Sequence, residues 1–173
     1  MSEALKKLLK GRPTDEEVGS IFFEMGEDGA RGSILAGTSF LEDVLKGAIM
    51  HRFGHLNAKE LKDLFDGTAP LSTFSAKIKI AYAMGVIGKL TRHDLEKMRE
   101  LRNAAAHSAR HITFKIPEIA NMVLGLHSLK DVVGGEKFIV QHKFVSCVNL
   151  IMLALVAKMN TPPFTVQGIK NLD

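Results

Sequence analysis

Arg102 and His107 are the residues whose types and spacing point most directly to chemistry. An arginine guanidinium can hold a phosphate with two hydrogen bonds and stays charged at any working pH, and an imidazole can exchange a proton near neutrality. Beside a shared crevice they could cleave RNA without a metal. The imidazole would move the proton of the 2′-hydroxyl or of the leaving group, while the guanidinium stabilises the crowded phosphate. Asn103 is a third candidate for this catalytic group.

The spacing of this segment decides which of its side chains share a helix face. Five residues on an α-helix correspond to about 140° of rotation and about 7.5 Å of rise, so Arg102 and His107 lie on adjoining faces. Asn103 and His107 are four residues apart and share a stripe, which Arg99 and Arg110 extend. A structural interpretation stays open beside the catalytic one. His107 and Asn103 would then bond a facing helix, and Arg102 would pair with a carboxylate.

Helical periodicity recurs along the chain and predicts the elements that must position this segment. Apolar residues return every three or four positions, and Thr14, Asn57, Ser72 and Thr91 are typical helix caps. Only residues 112–116 favour an extended conformation. We therefore expect an all-α, single-domain bundle of about six or seven helices, with residues 1–12 as an N-terminal helix or arm and 161–173 as a tail. The predicted helices are 14–25, 31–53, 57–65, 72–84, 91–111, 117–129 and 136–159.

Composition narrows the class of protein. The 173 residues are 46% hydrophobic and 24% charged, which is typical of one globular domain, and the formal net charge of +4 does not by itself require nucleic acid. The single Cys147 excludes an internal disulfide and a cysteine-built zinc site. The N-terminal residues lack an apolar signal core, and the longest apolar stretch, 150–157, is too short to span a bilayer. We expect a cytoplasmic protein without a membrane partner.

A longer segment of the sequence, which ends at the Arg102–His107 motif, resembles a known family. Residues 69–78, Ala-Pro-Leu-Ser-Thr-Phe-Ser-Ala-Lys-Ile, are followed by 81–87 and then by Arg-Asn-x-x-Ala-His at 102–107. This order and spacing resemble the mannitol operon repressor (MltR-like) family, most strongly over residues 66–108. The resemblance implies transcriptional control of sugar-alcohol uptake. It also marks Pro70, Leu71, Phe74 and Lys77 as family-motif or interaction positions, and we add the two arginines of the Asn103 stripe, Arg99 and Arg110, as candidate interaction residues.

The Arg-x-x-x-x-His spacing also resembles the signature of the wider HEPN superfamily. That resemblance implies a HEPN-like helical bundle, often a homodimer with the motif helices facing each other. Many members are metal-independent ribonucleases, whereas others keep the fold as interaction modules without catalysis. This chain departs from the family at 104–106, where three alanines stand in place of a bulkier side chain. The change could narrow a catalytic groove or fill it with protein, so enzymatic activity stays open.

The sequence argues against direct, sequence-specific DNA binding. The predicted helices 57–65 and 72–84 are separated by a loop longer than the turn of a helix-turn-helix motif. A recognition helix presents several polar residues to the bases, whereas Ile78, Ile80 and Met84 are typical of a core. We therefore expect a regulator that acts through a protein partner, either a transcription regulator or a transport component. The alternative is the ribonuclease, for which RNA is the partner.

Three further groups of side chains have types that could take part in chemistry. Lys77 could add a positive charge near Arg102, but a lysine at the core edge that reaches solvent is the favoured interpretation. His51 and His55 have a metal-binding spacing, yet Gly54 should break the helix between them. No cofactor and no metal are therefore expected. The other histidines are interpreted as solvated or packing residues: His93, His111, His127 and His142.

Overall fold

The computed structural model describes residues 29–129 and 139–160, and within these ranges every regular element is a helix. The all-α prediction is thus confirmed. The predicted helix 14–25, the arm 1–12 and the tail 161–173 lie outside the described residues. The helices are α1 (Ala30–Arg52), α2 (Ala58–Phe65), α3 (Phe74–Ala83), α4 (Lys89–His107), α5 (Pro117–Leu124) and α6 (Val140–Met159).

Helix α1 lies at the centre of the packing, against α6, α4 and α3. Its buried side chains recur at three- and four-residue steps, as the sequence pattern predicts, and they belong to one core with residues of α4 and α6. Burying each large apolar side chain contributes about 1.5–3 kcal/mol, so this core is the main source of stability. Its fully buried large side chains include Ile34, Leu41, Leu45 and Ile49 from α1, Leu95, Met98 and Leu101 from α4, and Phe144 and Leu155 from α6.

Local capping chemistry explains where α2 and α3 begin. The Asn57 side chain accepts from the backbone N–H of Glu60 at 3.1 Å, and Glu60 accepts from the backbone N–H of Asn57 at 2.8 Å, which confirms the predicted capping box. The predicted cap of α3, Ser72, is wrong by one residue. Thr73 caps the helix instead, because its hydroxyl accepts from the backbone N–H of Ala76 at 3.1 Å.

Both ends of α4 differ from the prediction. The helix begins at Lys89, and its N-cap Gly88 lies three residues before the predicted cap Thr91. It ends at His107 rather than near His111, because Ser108 adopts an extended backbone with φ −75° and ψ 129°. Residues 112–116 do not form a strand. They pass directly to Pro117, which occupies the first turn of α5 as predicted.

Helix α5 ends at Leu124, five residues before the predicted end at Leu129. The last predicted turn does not form because the backbone N–H groups of His127 and Ser128 bond to Asp94 of α4 instead of to carbonyls within α5. A carboxylate that is distant in sequence accepts these hydrogen bonds in place of helical carbonyls, and no pattern within residues 125–129 predicts this ending.

Among the described helices, α6 is the one that is long and apolar enough to cross a membrane by length and composition alone, with a mean hydropathy of 1.6 in its most apolar 18-residue window. It nevertheless packs against α1 and α5, and Phe144, Cys147, Val148 and Ile151 are buried in the core. A core helix of this kind passes the same test of length and apolarity, so α6 does not indicate a membrane span.

Candidate functional site

The predicted site residue Arg102 forms an ion pair with Glu42 of α1. The Arg102 Nη1 atom lies 2.5 Å from Glu42 Oε2, and the Lys77 Nζ atom lies 2.5 Å from Glu42 Oε1. Lys77 also donates to the Ser72 carbonyl at 3.1 Å. One carboxylate therefore binds two cations from two different helices, and the three side chains together carry a charge of about +1 at neutral pH.

Lys77 is placed here by the apolar register of α3. It is only 5% exposed and lies on the same buried side of the helix as Phe74, Ile78 and Ala81. A buried ammonium needs an anionic partner, and Glu42 supplies it. The favoured interpretation of Lys77 as a lysine that reaches solvent is thus wrong, and the alternative, a second positive charge near Arg102, is what the structure has.

A surface pocket of about 420 Å³ lies beside this ion pair, between α4 and the start of α3. We call it the α3–α4 groove. It brings the three predicted catalytic candidates together, since Arg102, Asn103 and His107 all line it. The other lining residues are Glu42, Ser72, Thr73, Phe74, Ser75, Arg99 and Ala106.

The side chains in the α3–α4 groove differ in how far they are already engaged. Arg102 binds Glu42, and Arg99 donates through Nε to Glu96 at 2.9 Å. Asn103 and His107 are exposed, and neither side chain makes a hydrogen bond within the described part of the chain. The structural interpretation of the motif therefore holds for Arg102, which has its carboxylate, while Asn103 and His107 do not bond a facing helix among these residues.

Arg31, near the start of α1, fixes the end of the motif helix. Its guanidinium donates to the carbonyl of Ala105, to that of Ser108 at 2.9 Å and to that of Arg110 at 2.7 Å. A cation at the last carbonyls of a helix satisfies acceptors that have no partner within the helix and opposes the negative end of its dipole. Sequence reasoning missed this role, because a contact across more than seventy residues leaves no local signal.

The predicted interaction residues fall into two groups. Phe74 and Lys77 are buried: Phe74 lines the α3–α4 groove, and Lys77 is connected to it through its ion pair with Glu42. Pro70 and Arg110 are exposed, Leu71 is half-buried, and Arg99 lines the groove.

A second polar cluster, which the sequence analysis missed, surrounds Asp94 of α4. This carboxylate is fully buried and accepts from the backbone N–H of Ser128 at 2.8 Å and from that of His127 at 2.9 Å. The Ser128 hydroxyl donates at 2.5 Å, and the Nδ1 atoms of His127 and His93 lie 3.2 and 3.4 Å from Asp94 Oδ1. Burial raises the pKa of Asp94, but the hydrogen bonds from Ser128 and His127 outweigh it and hold the pKa below its ordinary value.

A sequence signal for this cluster does exist. Asp94 precedes Met98, Leu101 and Ala105 by four, seven and eleven residues, so it occupies the apolar stripe of α4. A carboxylate on such a stripe must be buried and must find donors elsewhere in the fold. The interpretation of Asp94 as a first-turn residue hid this, because the predicted start of the helix was too late.

Comparisons with known proteins cover most of the chain. The sequence profile of the family described as mannitol repressor (MtlR) matches residues 36–149. A chain in the X-ray structure of the MtlR–HPr complex from Escherichia coli is similar in fold, with a TM-score of 0.61 and 19% sequence identity. That match covers 83% of this chain and 98% of the other. No curated protein sequence is detectably similar.

Proposed function

Because the chain belongs to the mannitol repressor (MtlR) family, we propose that it regulates a sugar-alcohol uptake operon through protein–protein contacts. The similar Escherichia coli structure is a complex with HPr, which supports an HPr-like protein as the partner. A cytoplasmic location belongs to the same proposal, since the regulated genes and such a partner would both be met there. Homodimerisation, which the HEPN resemblance implies, is a separate prediction that light scattering of the purified chain would test.

The α3–α4 groove is the contact surface in this proposal. Its exposed Asn103 and His107 have polar atoms without an internal partner among the described residues, and Arg99 and Arg102 place positive charge beside them. Groups of this kind favour a carboxylate or another anionic group on the partner, and charge complementarity mainly sets specificity and the rate of association. This availability of Asn103 and His107 is the observation that carries the proposal.

The described helices also support regulation without direct reading of DNA. Residues 66–73 separate α2 from α3, which is longer than the turn of a helix-turn-helix motif. In α3, Phe74, Lys77, Ile78 and Ala81 are buried, so this short helix has little polar surface to offer to bases.

Titration calorimetry with purified Escherichia coli HPr tests the proposal. We expect His107→Ala and Asn103→Ala to weaken binding about tenfold, because each removes an exposed polar group from the contact. Lys115→Ala is the matched control, since Lys115 is exposed and does not line the groove. Binding that all three substitutions leave unchanged would show that the groove is not the contact surface. Absence of any binding by the wild-type chain would remove HPr as the partner.

A metal-independent ribonuclease is the second candidate, because Arg102 and His107 line one pocket. In this candidate His107 moves the proton, Arg102 binds the phosphate and Asn103 assists. Arg102 already forms an ion pair with Glu42, so a phosphate would have to compete with this internal carboxylate for the guanidinium. Mixed RNA incubated with the protein in excess EDTA tests this candidate. Cleavage that is lost in both Arg102→Ala and His107→Ala would support it, and thermal melts would show that both variants fold.

A further inference from the structure

We propose that His93, Asp94 and His127 form a binding site for a divalent transition metal such as zinc. The site is separate from the α3–α4 groove, because Asp94 precedes Asn103 by nine residues, or about 13 Å along α4. The proposal does not rest on the proposed function. It contradicts the expectation from the sequence that no metal binds, which weighed a metal only at His51 and His55 and interpreted His93 and His127 as solvated or packing residues.

The geometry of the three side chains suits one small ion. Both imidazoles direct Nδ1 at the same oxygen, Asp94 Oδ1, at 3.4 Å for His93 and 3.2 Å for His127. Zinc bonds to nitrogen and oxygen are about 2.0–2.1 Å long, so two ligand atoms of a tetrahedral site are about 3.3 Å apart. One ligand atom from each of the three residues lies within 4.8 Å of the others, so small rotations of the rings would complete the set.

The charge of the cluster also favours a cation. Asp94 is fully buried, and hydrogen bonds from the Ser128 hydroxyl and from two backbone N–H groups favour its ionised form. Its described ion-pair partners are the two histidines, which are neutral unless they take up a proton. A buried negative charge is costly without a compensating positive charge, and a metal ion ligated by neutral imidazoles supplies one.

The groups that hydrogen-bond to Asp94 resemble those that orient the ligands of a metal site. The Ser128 hydroxyl and two backbone N–H groups fix the orientation of the carboxylate, which is how ligating carboxylates are usually held. The side chains of His93 and His127 are 44% and 24% exposed, so an ion can enter and a water can complete its coordination. Two imidazoles and one carboxylate favour zinc and similar metals over magnesium or calcium.

Calorimetric titration of untagged, EDTA-treated full-length protein with Zn²⁺ alone tests the proposal. We expect one zinc per chain, and a rise in Kd of at least about tenfold in both His93→Ala and His127→Ala, because each removes a ligand. His55→Ala and His107→Ala are matched controls, since both histidines are exposed and lie outside the cluster. Co²⁺ should give the intense visible bands of a tetrahedral site in the wild type and in both controls.

The variants are chosen so that loss of folding cannot imitate loss of the site. His127→Ala keeps the backbone N–H that binds Asp94, and Ser128 keeps both of its bonds, so the loop remains attached to α4. His127→Gln is a second variant, with an amide that fills space and ligates zinc poorly. Zinc binding that persists in the His93 and His127 variants, or a wild type that binds no zinc at micromolar concentration, would overturn the proposal.

Discussion

Glu42 and Arg102 face each other from α1 and α4 with 2.5 Å between Oε2 and Nη1, and the other oxygen of Glu42 binds Lys77 at the same distance. The carboxylate thus neutralises one cation that lines the α3–α4 groove and one that lies buried behind it. Stability and groove chemistry consequently depend on the same side chain.

Glu42→Gln should lower the free energy of unfolding by about 3 kcal/mol, because it leaves the buried Lys77 ammonium without an anionic partner. Urea denaturation at neutral pH measures the change. Asp66→Asn is the matched control, since it removes an exposed pair with Lys46 that contributes at most about 1 kcal/mol. Equal losses in the two variants would contradict the role assigned to Glu42.

The same substitution should free Arg102 for an external anion. Whichever function the groove has, Glu42→Gln should strengthen binding of an anionic group there, because the internal competitor is gone. Titration of both proteins with HPr, or with a short RNA, measures this. Unchanged affinity in Glu42→Gln, together with intact wild-type binding, would mean that Arg102 does not meet the ligand.

Arg31→Ala should loosen the last turn of α4, because three carbonyls lose their donor. We expect a loss of about 1–2 kcal/mol and faster hydrogen exchange of the Ser108 amide, which bonds to the Ala104 carbonyl. Arg110→Ala is the control, since Arg110 takes part through its backbone carbonyl alone. Unaltered exchange at the end of α4 in Arg31→Ala would show that the helix ends there for another reason.

Ser128→Ala should destabilise the protein by about 1–2 kcal/mol, because it removes a hydrogen bond to an ionised, buried carboxylate. Denaturation in EDTA keeps this effect apart from any metal. Ser39→Ala, on the exposed face of α1, should change stability by less than about 0.5 kcal/mol. A Ser128 variant as stable as the Ser39 variant would argue that the loop is held mainly by its backbone N–H groups.

Cys147 should not react with thiol reagents in the folded protein. Burial, with a smaller contribution from the negative charge of Asp94, raises the pKa of this thiol to about 12, and the positive charge of Lys143 offsets only part of the increase. At neutral pH the thiol is therefore protonated as well as inaccessible. Labelling in native buffer should be slow, and labelling in denaturing guanidinium chloride should be fast. Rapid native labelling would contradict the burial of Cys147.

The features predicted from the sequence are those that depend on neighbours along the chain. The capping box at Asn57, the helical stripes of α1 and the position of Pro117 each follow from local chemistry, and the structure confirms them. That Arg102, Asn103 and His107 line one groove also follows from their spacing on one helix.

Features built from distant segments could not be predicted in the same way. Arg31 and Glu42 reach α4 from sixty or more residues away, and nothing near either residue specifies that partner. Asp94 is different, because its place on an apolar stripe is visible in the sequence. The predicted helix start was too late, which made Asp94 a first-turn residue and obscured the signal. Helix starts are among the least reliable features of a sequence-based prediction, and here such an error concealed a cluster of three ligating side chains.

The hydrogen bonds from Arg31 connect the first turn of α1 to the end of α4, which lines the groove. The first turn of α1 holds the chain just beyond His107, so the position of the imidazole in the groove depends on an arginine that does not contact it.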